Sequence, residues 1–229
     1  MSILAPRRPR LVVAAAALLA GLIALVSSGA LTFVDRFAVA HLMPWLKPSP
    51  HGGFSVSGLA LPSVHGPLVD VLLGLWTYPA AFIPSLVVVA LCASRLDRPA
   101  AAVVSALWLA GNLVEVLGKL TISRPALYKH HVHVVSFDHS LPSGHTIRAL
   151  VIATAVSMLW RRGRVASLWA AGVLVALVVT GAHTPTDVLG GVLVVVALVG
   201  WATPGFVHPR WDTTHTGGAR GSGGRGPRR

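Results

Sequence analysis

Long apolar runs separated by short polar stretches set the rhythm of the chain. The first runs from Leu11 to about Val34, behind Arg7, Arg8 and Arg10. A helix crosses the hydrocarbon core in about 20 apolar residues, so this run reads as a first membrane span. Ser27-Ser28-Gly29-Ala30 has the small residues of a signal-peptide cleavage site. The run exceeds the roughly 7–15 apolar residues of such a signal, however, and is taken as a span. Residues 35–66 are different, with Asp35, Arg36, Lys47, three histidines and many prolines and glycines. They read as a loop with one short interfacial helix near Arg36–Leu46, Trp45 suiting the headgroup level. A second span is expected within Leu68–Ala93, interrupted by Pro79 and Pro84, with Asp70 near an interface or in a polar interior. The polar turn Ser94–Pro99 leads to a third span, about Ala100–Gly118, containing Asn112 and Glu115. A polar loop from Lys119 to Pro142 follows. The fourth span is Ser143–Trp160, the fifth about Val165–Ala182 and the sixth about Pro185–Ala202, the last two joined only by a tight connection at His183–Thr186. The pattern predicts an all-α polytopic membrane helical bundle of about six transmembrane helices. It divides into a cytoplasmic N-terminus (1–10), a six-span domain (11–204) and a basic Gly/Arg-rich disordered tail (205–229).

Composition sharpens this picture and charge orients it. The chain of 229 residues is 54% hydrophobic and 11% charged, which excludes an ordinary soluble domain. Cys92 is the only cysteine, so no internal disulfide can form. A net charge of +12 invites a nucleic-acid reading, but the arginines flank the apolar runs. With both termini inside, 13 basic residues fall on the inner side and five outside, with Arg148 within a span. Positive residues favour the cytoplasmic side, so both termini are expected in the cytoplasm of a plasma-membrane protein. The tail lacks interleaved aromatics and suits anionic inner-leaflet lipids better than nucleic acid.

That orientation gathers three chemically loaded segments on the outer face. Leu141-Pro142-Ser143-Gly144-His145-Thr146 opens the fourth span. Ser143 is a good N-cap, and a helix start offers free N–H groups and a positive dipole end to an anion. Gly144 lets a ligand approach the backbone and His145 can hold or donate a proton. Thr184-Pro185 opens the sixth span as N-cap and first residue. Asp187 is then either the capping-box partner of Thr184 or the carboxylate that orients His183, and its two oxygens allow both. A histidine so held can attack phosphorus. Lys119 and Arg124, followed by Pro125, close the set as cations that can neutralise charge on a phosphoryl group or simply sit at the interface.

Lys119…Arg124-Pro125, Pro142-Ser143-Gly144-His145 and His183-x-x-x-Asp187 together resemble the three-part signature of the type 2 phosphatidic acid phosphatase superfamily. The resemblance covers about residues 11–203. It implies a metal-independent membrane phosphatase acting on lipid phosphates at the outer face. It implies His183 as nucleophile, Asp187 as its orienting carboxylate and His145 as proton donor to the leaving lipid oxygen. Lys119, Arg124, Ser143 and Gly144 would cradle the phosphate. Neither cofactor nor metal is implied, and the His130-His131-Val132-His133 cluster lacks acidic or cysteine partners at ligand spacing. Two departures stand out. Only four residues separate Lys119 from Arg124, where the family usually has six. Leu177 occupies the place of a phosphate-binding arginine six positions ahead of the last histidine.

Arg148, three residues after His145 on the same helix face, is a candidate replacement for that arginine; its alternative partner is Glu115. The expected function is removal of a terminal phosphate from a lipid mono- or diphosphate, such as a polyprenyl phosphate or phosphatidic acid. A lipid-phosphate binding protein that has lost catalysis is the alternative, made plausible by Leu177. A small transporter using Asn112, Glu115 and Arg148 is less well supported, because no internal repeat is visible.

Overall fold

A computed structural model of the chain describes residues 8–43, 67–160 and 163–202. Trp45, Lys47, Arg161, Arg162, the tail and the side chain of Asp70 lie outside the described residues. The fold is helical, with one short strand pair among the described residues.

Helix α1 (Pro9–Ser27) starts with proline at its first position, where the missing N–H costs no hydrogen bond. It stops earlier than the apolar run suggests. Gly29 turns the chain at φ 80°, and its N–H donates to the Val26 carbonyl at 3.0 Å. Glycine takes this left-handed conformation without a Cβ penalty. The run then continues as a separate helix, α2 (Thr32–Phe37), extended by a π-turn over Ala38–Leu42. Asp35, expected in a loop, is therefore helical, and it is buried at 2% exposure.

The second apolar segment is broken as its prolines foretell. Helix α3 (Pro67–Thr77), a 3₁₀ turn (Tyr78–Ala80) and α4 (Phe82–Ala93) bend by 61°. Pro79 cannot donate to the helical ladder, and Ala81 is extended. Helix α5 (Arg98–Thr121) is capped by Asp97, whose Oδ1 accepts the Ala100 N–H at 2.9 Å. Helices α6 (Gly144–Leu159), α7 (Arg164–Val179) and α8 (Pro185–Ala202) follow, and α8 has the expected boundaries. Helix α7 ends three residues early because Gly181, at φ 74°, reverses the chain toward His183.

Helix α6 is central, packed against α4, α5, α7 and α8, while α1 lies along α8. Val104, Leu107 and Trp108 of α5 meet Ile147, Val151 and Ile152 of α6 and Val194 and Val195 of α8 in the main core. Gly191 lets α6 and α8 touch: a Cβ there would stand 2.8 Å from Thr146 Cβ and 2.9 Å from the Ser143 carbonyl oxygen.

Helices α1, α5 and α8 are long and apolar enough to cross a membrane, and the bent α3–α4 pair would make a fourth span. At 16 residues each, α6 and α7 reach about 24 Å, short of the roughly 30 Å hydrocarbon core.

The polar loop between α5 and α6 is a folded cap. Strands β1 (Tyr128–Lys129) and β2 (Val132–His133) pair antiparallel around His130 and His131, both at positive φ. Leu127, Val134 and Phe137 bury against Ala38, Val39 and Met43, forming a second core beneath the π-turn. The Lys129 ammonium donates to the Met43 carbonyl, and burial pushes its pKa down. Thus α2 and the loop fold onto each other.

Candidate active site

The starts of α6 and α8 are tied together by backbone. The Ser143 N–H donates to the Asp187 carbonyl at 3.0 Å, so the two helices begin side by side. Ser143 caps α6 as its residue type requires, its Oγ accepting from the Thr146 N–H at 3.3 Å and the Thr146 hydroxyl at 3.1 Å. Thr184 and Asp187 form the capping box of α8. Asp187 Oδ2 accepts the Thr184 N–H at 3.0 Å, and the Asp187 N–H reaches Thr184 Oγ1 at 3.4 Å.

His145 and His183 face each other across this junction, with ring centroids 5.9 Å apart and planes tilted by 56°. His183 Nδ1 is buried without a hydrogen-bond partner and lies 3.6 Å from Asp187 Oδ2. The carboxylate is close enough to stabilise an imidazolium, and a small ring movement would complete the hydrogen bond. With Nδ1 turned to Asp187, Nε2 is the nitrogen left for chemistry. The capping and histidine-facing roles of Asp187 coexist on one carboxylate.

The cations are all engaged. Arg124, with a side chain only 3% exposed, donates from Nη1 to Asp35 Oδ2 and Thr184 Oγ1, each at 2.9 Å, and from Nη2 to Asp187 Oδ1. Asp35 also accepts the Thr186 hydroxyl at 2.7 Å and the Thr186 N–H at 3.4 Å. Burial holds the Asp35 carboxyl above its ordinary range, an effect that the Arg124 guanidinium offsets only in part.

Glu115 organises the other two. Its Oε1 accepts from Lys119 Nζ and its Oε2 from Arg148 Nη1, both at 2.5 Å. Arg148 also donates to Asn112 Oδ1 at 2.9 Å and to the Ala80 carbonyl at 2.8 Å, a carbonyl at the α3–α4 break. The Glu115 carboxylate lies directly over Gly144: a Cβ there would stand 2.0 Å from both of its oxygens. A carboxylate thus occupies the start of α6, where Lys119, 41% exposed in its side chain, opens to the surface. Leu177 packs with Ala80, Ala149 and Ala153 in an apolar cluster.

The structure brings His145, His183, Asp187, Ser143 and Gly144 together, with Lys119 at the rim. It sets Arg148 on Glu115 and Arg124 between two aspartates. Asp35 is the residue that sequence reasoning missed; its only signal was a carboxylate at the end of an apolar run. Among the described residues, no group of three or more His, Cys, Asp or Glu could hold a metal ion.

No curated protein and no solved structure matches the chain. The family model described as PAP2 superfamily matches residues 99–211, the stretch that carries both histidines, Asp187, Lys119 and Arg124. By that match, and by the signature residues within it, the chain belongs to the type 2 phosphatidic acid phosphatase superfamily, a superfamily of membrane-associated phosphatases.

Proposed function

We propose that this protein removes a terminal phosphate from a lipid mono- or diphosphate at the outer face of the plasma membrane, through a phosphohistidine on His183. The observation that carries this reading is the facing pair of imidazoles, one backed by a buried carboxylate, at the start of a helix. Neutral His183 attacks phosphorus through Nε2. The N–P bond forms as the P–O bond to the lipid breaks, and protonated His145 gives its proton to the departing oxygen. Water then attacks the phosphohistidine, His145 takes its proton, and inorganic phosphate leaves. Asp187 stabilises the charge on His183 during the first step.

Lys119 and the N–H groups at the start of α6 would hold the phosphoryl oxygens. An incoming phosphate displaces the Glu115 carboxylate from Gly144, and Lys119 and Arg148 exchange one anion for another. The outer-face placement is supported by the basic excess on the opposite side. The lipid tail would lie among the apolar helices, so the membrane delivers the substrate sideways.

Rapid quenching during turnover of a ³²P-labelled lipid phosphate tests the intermediate. The reading expects an acid-labile, alkali-stable phosphoenzyme that is lost in His183→Ala. Turnover without such a species, or a phosphoenzyme retained in His183→Ala, would refute it.

A further inference from the structure

We propose that Asp35 is a positioning residue of this site, acting through Arg124 to hold Asp187 against His183, and that Arg124 anchors Asp187 rather than the phosphate. The inference rests on the phosphatase reading above. Arg124 has acceptors on two sides, Asp35 and Thr184 on Nη1 and Asp187 on Nη2, and its side chain is 3% exposed. A phosphate ligand needs donors facing the space where the phosphate arrives. Lys119, at 41% side-chain exposure, meets that condition, whereas Arg124 is buried on the far side of the Asp187 carboxylate.

Charge explains why two carboxylates are useful. Arg124 paired with Asp187 alone would neutralise the anion that His183 needs when it becomes positive on attack. Sharing the guanidinium with Asp35 leaves the three groups at a net −1 beside His183. The carboxylate is then both fixed in place and still negative. Thr186 completes the clamp by donating its hydroxyl and N–H to Asp35, which pins α2 to the first turn of α8.

The chain is built to deliver this residue. Asp35 lies outside the family-matched residues 99–211, 89 positions before its partner Arg124. The Gly29 turn aims α2 at the site, and a Cβ on Gly29 would stand 3.0 Å from Pro125 Cγ, beside Arg124. The short Lys119–Arg124 spacing has a use on this view, because Arg124 has left phosphate binding to Lys119.

The test is steady-state phosphate release from a lipid monophosphate in detergent. It compares wild type, Asp35→Asn, Asp35→Glu, Arg124→Gln and the double variant Asp35→Asn/Arg124→Gln. Asp35→Asn should lower kcat about 10- to 100-fold, the scale at which outer partners of a reacting group are felt, with KM within about twofold. Asp35→Glu, which keeps the carboxylate, should recover part of kcat. Arg124→Gln leaves two buried carboxylates facing each other, so the double variant should be no worse than Arg124→Gln alone. If Arg124→Gln raises KM at unchanged kcat while Asp35→Asn behaves as wild type, Arg124 binds phosphate and the proposal falls. Independent, multiplying losses in the double variant overturn it too, even if Asp35→Asn alone folds poorly. A wild type that releases no phosphate from any lipid refutes the phosphatase reading instead.

Discussion

Substituting Gly144 by alanine puts the arrangement at the start of α6 to a direct test. In an open helix, alanine in place of glycine stabilises by up to about 1 kcal/mol. Here the new Cβ would stand 1.9 Å from Glu115 Cδ and 2.0 Å from each carboxylate oxygen, far inside contact distance. Glu115 must leave, and Lys119 and Arg148 lose their shared carboxylate. Removing one partner of a buried ion pair costs about 3–5 kcal/mol. Arg148 keeps Asn112 and the Ala80 carbonyl as acceptors, which lowers the penalty. Setting the helix gain against it leaves a net loss of about 2–4 kcal/mol. For a chain of this size that is a melting-temperature decrease of about 5–15 °C, read by thermal denaturation in detergent. The Glu115→Ala background isolates the cause: with the carboxylate gone, Gly144→Ala should cost little further. A Gly144→Ala protein as stable as wild type, or the same loss in both backgrounds, would refute the placement of Glu115.

Further expectations follow from single contacts. Ser143→Ala removes the cap of α6 and should cost about 1 kcal/mol, seen as a lower melting temperature. Leu177→Arg, which restores the family's residue type, should destabilise the protein and fail to raise activity, because it buries a charge among Ala80, Ala149 and Ala153. A gain in phosphate release would show that the site can accept a cation there. His139→Cys, on the exposed part of the loop, should react with a membrane-impermeant maleimide in intact cells, with buried Cys92 as the quiet background. Labelling only after the cells are opened would reverse the proposed orientation.

The parts of the fold that could be read from sequence were those fixed by neighbours in the chain. Thr184-Pro185 with Asp187 marks the start of α8 through contacts within three residues, and Ser143 marks the start of α6 in the same way. The break at Pro79 was legible because proline lacks a donor wherever it sits. Gly29 was not, since a glycine within an apolar run turns or stays helical according to what packs on it, here Pro125. The same limit applied to the site. The His183–Asp187 pair is local, and the cost of an arginine inside a span named Glu115 as an alternative partner of Arg148. Asp35 and Arg124 meet only once α2 folds back over the loop, and no local pattern in either segment records that contact. The loop itself looked polar, yet Leu127, Val134 and Phe137 bury as a small core whose other half comes from the π-turn.

The central claim is that His183 performs metal-independent phosphate transfer from a lipid. The most direct measurement is phosphate release by the purified protein in excess chelator across a panel of lipid mono- and diphosphates, with His183→Ala beside it. The account predicts release that survives the chelator and disappears in the variant. Release abolished by the chelator, or undiminished in His183→Ala, would contradict it.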